Sequence, residues 1–298
     1  MTTSLLKGLN ISGCAYVSDN CISADVYHVG TPHALTRAAG YLKFELGKNK
    51  QDSPSCRIFF RGQSRLYESL TPTLYRGLKK PSAHELAIRE MKEAIKSIIT
   101  ASRKNECSIF DKFPAEAQEP LLQHYGLKTR WIDVVDNVWV ALWFACYDMK
   151  LSDEYHSFAH FERRSINHDD SQYAYIILIS TDTGSMDTDC PGLFKGNNTQ
   201  YIDLRIATPS IFLRPHAQHA LLFRAKDDGG QVVVDFRNRI AGIIRINLRD
   251  ALSWLCEGQM IGDHAFFPPP FYDIGYRYLL GSNFEGNDKI GHIHYIGP

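Results

Sequence analysis

Between Leu121 and Cys146 the chain reads LLQHYGLKTRWIDVVDNVWVALWFAC, and His124, Arg130 and Asp133 fall within ten residues of one another there. These are a side chain that exchanges protons near neutral pH, a planar fork of N–H donors that matches phosphate or carboxylate, and a carboxylate that can hold either partner. Together they suit proton transfer beside an anionic ligand. A fourth candidate, Arg61, follows the short apolar run Arg57–Phe60 and precedes Gly62. A strand end before a glycine is a good place to present a charged side chain, because the glycine lets the backbone turn away. Each residue also has a plainer reading. Arg61 or Arg130 would pair with Asp133 as a structural tie, and His124 would be a core histidine bonded to a carbonyl. Gln218 would satisfy a neighbouring backbone group instead of positioning a ligand's amide or hydroxyl.

The elements that position this set follow from local pattern. Leu121–Tyr125 reads as a last helical turn, with Gly126 as the left-handed residue that ends it. Thr129–Asp133 reads as a connector. Asp136 or Asn137 caps a helix whose body, Val138–Tyr147, is apolar on nearly every face and belongs in a core. His124, Arg130 and Asp133 therefore sit where a connector dives toward the interior, and polar groups there must be paired or used.

The bulk composition narrows the class. Across 298 residues, 44% apolar and 12% aromatic content gives a globular chain with a sizeable core. Thirty-three basic and 33 acidic residues leave no net charge, which argues against a generic nucleic-acid coat or membrane-surface binder. No apolar run reaches the roughly 20 residues of a membrane span, and the first residues are too weakly apolar for a signal peptide, so a cytoplasmic protein is expected. The seven cysteines (14, 21, 56, 107, 146, 190, 256) lack any Cys-x-x-Cys and read as reduced thiols, with no metal site expected. Phosphate-binding loops of the Gly-x-x-x-x-Gly-Lys kind, dinucleotide-binding Gly-x-Gly-x-x-Gly turns and Gly-x-Ser-x-Gly elbows are missing from the sequence. It thus gives no support to a nucleoside triphosphatase, a Rossmann dehydrogenase or a serine hydrolase.

Taken in order, residues 1–30 suggest edge strands, and Thr31-Pro32 opens a helix to about Gly47. Ser82 with Glu85 reads as a capping box ahead of an amphipathic helix. Residues 148–170 are polar and read as a loop or insertion. Beyond them, Tyr173–Ser180, Tyr201–Ile206, Ile211–Leu213, Ala220–Ala225, Gln231–Asp235 and Gly242–Asn247 read as strands, with Asp227–Gly230 as a hairpin signal. Leu248–Gly258 and Tyr272–Leu280 read as helices, and 283–298 as a tail. The expected fold is α+β, a helix-rich N-terminal half packed on a mostly antiparallel sheet from the C-terminal half, with one domain over 31–282.

HYGLKTRWID followed by VALWFAC resembles the central signature of the FRG domain family, named for a Phe-Arg-Gly motif that stands here as Phe60-Arg61-Gly62. An Arg-x-x-x-Gln-x-x-x-x-Phe pattern at Arg214, Gln218 and Phe223, and Phe-Phe-Pro at Phe266–Pro268, extend the resemblance in order from about residue 40 to residue 282. It implies that Arg61, Arg130 and Arg214 converge on an anion. His124, Arg61 and Asp133 would be the catalytic set, and Arg61, Gly62, Gln63, Thr129, Arg130, Arg214 and Gln218 would bind ligand. Two readings stay open. One is an enzyme on a small anionic or nucleotide ligand, NAD among the candidates, acting as a toxin or antiviral defence effector. The other is a non-catalytic sensor that binds a nucleotide, nucleic acid or protein partner. The layout is also similar to that of ADP-ribosyltransferases, in which a first-strand arginine holds NAD and a late-strand glutamate stabilises the reacting ribose. Arg61 fits the first role, but the chain has no glutamate between Glu162 and Glu257.

Overall fold

A computed structural model describes residues 14–17, 24, 26–47, 56–104, 108–152, 158–167, 172–227, 229, 231–258 and 261–297. Most of the segment 1–30, and half of the Asp227–Gly230 hairpin signal, lie outside the described residues. In chain order the strands are β1 (Cys14–Val17), β2 (Val26–Val29), β3 (Cys56–Gln63), β4 (Ile132–Val135), β5 (Tyr147–Leu151), β6 (Phe158–Arg163), β7 (Tyr173–Asp182), β8 (Ser185–Met186), β9 (Leu193–Lys195), β10 (Thr199–Asp203), β11 (Ala220–Ala225), β12 (Ile240–Asn247) and β13 (Tyr295–Ile296). The helices are α1 (Pro32–Gly47), α2 (Pro81–Lys104), α3 (Ala115–Gln123), α4 (Val138–Cys146), α5 (Leu204–Ala207), α6 (Leu213–Ala217), α7 (Leu248–Trp254), α8 (Asp263–Phe266) and α9 (Ile274–Leu280).

The fold is α+β around a ten-stranded sheet in the order β1-β2-β12-β7-β3-β4-β11-β10-β9-β8. Every pairing in it is antiparallel except β2 with β12. The first half of the chain contributes to the sheet as well as to the helices, because β3 and β4 sit at its centre. One face of the sheet packs Phe60, Ile176, Leu178 and Ile244 against α1, α4 and α7. The opposite face packs Phe59, Ile177, Ile179 and Phe223 beneath Leu70 and Phe236. A third cluster joins α2, α3 and α9 through Met91, Leu121 and Tyr276.

Several local expectations change. Asp133 lies on a strand, β4, not in a turn, because Ile132, Val134 and Val135 pair and bury as a short fully covered run. Helix α2 starts at Pro81, so Ser82 is already inside it and does not cap. Ile211–Leu213 and Gln231–Asp235 form no strand: Phe212 opens α6, and the Asp235 carboxylate is taken by the backbone N–H groups of Leu70 and Arg237. Gln218 is the C-cap of α6 and does not start a strand. Where a loop or insertion was read, β5 and β6 pair, and β13 joins β6 to complete a three-stranded sheet. Residues 283–298, read as a tail, thus include a strand.

Two glycines make a contrasting test. A Cβ on Gly62 would lie 1.9 Å from the Ala141 carbonyl oxygen and 2.8 Å from the Ala145 nitrogen, both in the α4 backbone. A Cβ on Gly40, in α1, would meet nothing within 4 Å. Gly62→Ala is expected to cost about 3 kcal/mol by overpacking, and Gly40→Ala to add about 0.5–1 kcal/mol through helix propensity. Urea unfolding of the two variants reads both signs.

Candidate functional site

β3 and β4 share one rung, Phe60 opposite Val135, and beyond it their ladder stops. Arg61 spans the gap: its Nη1 donates to the Asp133 carbonyl oxygen at 2.7 Å and lies 3.9 Å from the carboxylate Oδ2. A cavity of about 570 Å³ opens here, walled by β3, β4, α4, the turn after α3, the small sheet and the C-terminal segment. Its lining falls into two groups. Arg61, His124, Asp133 and Gln218 form a polar cluster, whereas Phe144, Tyr147, Phe161 and Phe267 are aromatic. Phe161 and Phe267 stack with centroids 4.3 Å apart, and Trp143 stacks on Tyr147 at 4.5 Å.

His124 ends α3, and its side chain is 6% exposed. Its Nδ1 is 3.1 Å from Gln218 Oε1, while Gln218 Nε2 donates to the Phe266 carbonyl at 2.9 Å. A carbonyl only accepts, so the amide nitrogen must face Phe266 and the amide oxygen must face the imidazole. Nδ1 therefore carries the hydrogen, and in the neutral ring Nε2 is left with its lone pair. Nε2 is 3.7 Å from Asp133 Oδ1, and neither atom has another hydrogen-bond partner. Burial pushes the His124 pKa below its ordinary value; Asp133 and the hydrogen bond donated to Gln218 oppose the shift, and Arg214 adds to it. The histidine is thus held in its basic form, with Asp133 placed to steady a proton arriving at Nε2.

Arg214 also lines the cavity but is 1% exposed. Its guanidinium lies 3.8 Å from the Tyr276 ring centroid and 4.7 Å from that of Tyr125, and Nη1 donates to the His124 carbonyl at 3.0 Å. The fully buried Asp273 accepts from the Tyr125 hydroxyl at 2.8 Å and from the Arg214 backbone N–H at 3.3 Å. Arg214 is therefore a positioning residue for the turn that carries His124. Its Nε and Nη2 lack an acceptor.

Of the residues singled out from the sequence, Arg61, Gly62, His124, Asp133, Arg214 and Gln218 line this cavity, and Gln63, Thr129 and Arg130 do not. The expected convergence fails for Arg130 because Glu119 on α3 takes its fork, with Nε at 3.1 Å and Nη2 at 2.5 Å. Thr129 is fully buried and braces the connector: its hydroxyl donates to Gln123 Oε1 and accepts from Trp131 N–H at 3.2 Å. Gln63 pairs opposite Tyr175 on β7. The sequence reading missed Lys128, Asp288, His292, His294 and the aromatic wall. The alternation in His292-Ile293-His294-Tyr295-Ile296 was the available signal for the C-terminal part. Among the described residues, no group of three His, Cys, Asp or Glu side chains is placed to hold a metal ion, and no helix is long and apolar enough to cross a membrane.

The lowered His124 pKa sets a stability test. In the unfolded chain the ring titrates near 6.5; in the folded protein it resists the proton until lower pH. Between those two values the unfolded state binds more protons, so stability falls as pH drops below about 6.5, by up to about 1.4 kcal/mol per pH unit from one such group. His124→Gln should show a shallower acid loss between pH 7.5 and 5 in urea melts. His28, whose pKa is also lowered by burial, is present in both proteins and cancels. Equal slopes would mean that His124 is not held neutral.

Residues 56–170 match the family model of the FRG domain. Comparison with curated proteins and with solved structures gave no match. The matched stretch runs from β3 to just past β6 and holds Arg61, Gly62, His124 and Asp133, while Arg214, Gln218 and the Phe266–Pro268 element lie beyond it. Residues 56–170 of this chain are an FRG domain, and residues C-terminal to it complete the wall of its cavity.

Proposed function

We propose that the cavity is the active site of an enzyme acting on a nucleotide-like ligand, with His124 as general base and Arg61 as the partner of a phosphate group. One observation carries the reading. His124, whose buried Nε2 is left bare by the bond between Nδ1 and Gln218, lines the same cavity as Arg61. The Arg61 side chain is 20% exposed, and burial holds its pKa below that of a free guanidinium, so pairing with an anion is strengthened by the poor solvation there. The aromatic wall offers a base a stacking surface, an interaction of about 1–3 kcal/mol for a nucleobase. The volume of about 570 Å³ falls in the range of small-molecule sites.

NAD is the dinucleotide to try first, and a toxin or defence role would follow from its consumption. Ribosyl transfer needs a carboxylate beside the reacting sugar, and among the described residues the cavity's carboxylates are Asp133 and Asp288, with no glutamate. Proton transfer by His124 is therefore the step the geometry favours.

The test is thermal unfolding with NAD, ATP, a cyclic dinucleotide and a short oligonucleotide, followed by analysis of the ligand for turnover. A ligand at 100 times its Kd adds about 2.7 kcal/mol of stability, a shift of several degrees. Arg61→Gln should remove the shift, and His124→Gln should keep the shift but abolish turnover. A shift by NAD or the cyclic dinucleotide, neither of which carries a terminal phosphate, that survives Arg61→Gln overturns the binding assignment. Binding without turnover in the unmodified protein makes the cavity that of a sensor.

A further inference from the structure

A second cavity, of about 710 Å³, is lined by Arg130, Trp131, Gln200 and Arg224 together with Ala115 and Glu116 of the first turn of α3. Arg224 makes no ion pair among the described residues. Its bonds are to Gln200: with the amide turned so that its oxygen faces the guanidinium, that oxygen accepts from Nε and from Nη2 at 2.8 Å. Glu119 takes Nε and Nη2 of Arg130, so Nη1 of each guanidinium is left over. The Arg224 guanidinium lies 5.1 Å from the Trp131 ring centroid. Trp131 is 4% exposed, and its indole N–H has no hydrogen-bond partner. The N-cap of α3 is Pro114, which brings no capping side chain; its carbonyl takes the Ala117 N–H at 3.0 Å, and Ala115 and Glu116 of the same turn line the cavity. Four cations, Lys92, Arg130, Lys195 and Arg224, line the cavity against two carboxylates, Glu116 and Glu119, and Lys195 is also paired with Asp187 outside the lining. Burial, and after it the neighbouring Arg130, holds the Arg224 pKa below its ordinary value. Two guanidiniums that line one cavity and act on each other electrostatically, one of them without a carboxylate, favour an anion there.

We propose that this cavity is a phosphate-binding site, separate from the one containing His124, in which Arg224, Arg130 and the Trp131 indole N–H hold the anion. The recognised chemistry is a tetrahedral phosphate with several acceptor oxygens. Free phosphate and a phosphomonoester both present it, and the experiment separates them.

The full chain is titrated with inorganic phosphate and with AMP, at ionic strength matched with sodium chloride, and followed by thermal unfolding. Inorganic phosphate should raise the Tm by several degrees. Arg224→Gln should abolish that rise, and Arg61→Gln should leave it intact. A rise with AMP alone, still lost in Arg224→Gln, assigns the phosphomonoester as the source. Should Arg224→Gln fail to fold, Arg224→Lys keeps the charge, loses the fork and must raise the phosphate midpoint about tenfold. The site is overturned if sodium chloride gives the same rise, if Arg224→Lys leaves the midpoint unchanged, or if Arg61→Gln and not Arg224→Gln removes the response. The same Arg61→Gln result separates this proposal from the one above, since each cavity answers to its own arginine.

Discussion

The break in the ladder between β3 and β4 is the constraint on which the site depends. A central pair in a ten-stranded sheet would normally run on for several rungs, and this one stops after Phe60 and Val135. A buried backbone carbonyl left without a donor costs about 1–3 kcal/mol. Arg61 removes that cost at Asp133 by bringing a charged donor to the carbonyl oxygen, so the strands part without leaving it orphaned. Gly62 makes the same departure possible on the other side, since the α4 backbone lies where any side chain would be. The Phe-Arg-Gly triplet is thus a packing solution before it is a binding motif. Phe60 fills the core, Arg61 mends the ladder, and Gly62 admits the helix.

The same departure explains why the polar cluster is strained toward use. Arg61 spends one N–H on the backbone, and its Nε has no partner. His124 Nε2 and Asp133 Oδ1 face each other at 3.7 Å with no other partner for either. A lone pair opposite a carboxylate is repulsive until a proton lies between them, and burial, which outweighs the pull of Asp133, withholds that proton from His124 at rest. Behind the histidine everything is fixed. Gln218 sets the tautomer, Arg214 holds the carbonyl, and Asp273 ties Arg214 to Tyr125 and α9. A buried guanidinium between two tyrosine rings is an expensive way to support one turn, and the expense makes sense if the turn must not move.

Much of this was legible in the sequence, and the failures have physical causes. The start of α1, the Asn137 cap on α4 and the positive φ of Gly126 are local, set by neighbouring residues, and the structure has each of them. Strand β4 escaped notice because four mostly buried residues show no alternation. Arg130 was drawn into the wrong site because its partner, Glu119, is 11 residues upstream, and only the fold shows which carboxylate reaches which fork. The strands β5 and β6 read as polar because several of their residues stay exposed. The C-terminal contribution depends on backbone contact: Gly126 packs against the His292 carbonyl and Gly291 against the Gly126 carbonyl, approaches that leave no trace in residue type beyond the glycines themselves.

Helix α3 joins the two cavities. Glu119 faces the second through Arg130, and one turn later Gln123 and His124 face the first. The connector between them is short and fully bonded: Arg130 N–H to Glu119, Thr129 hydroxyl to Gln123, and Thr129 carbonyl to the Leu74 N–H. Any anion that draws Arg130 away from Glu119 must therefore loosen a bond one residue from Thr129, which itself grips Gln123. Close-packed interiors pass such a displacement on as a discrete shift, not as a graded one. The arginine that fell outside the predicted site is in this way mechanically attached to it.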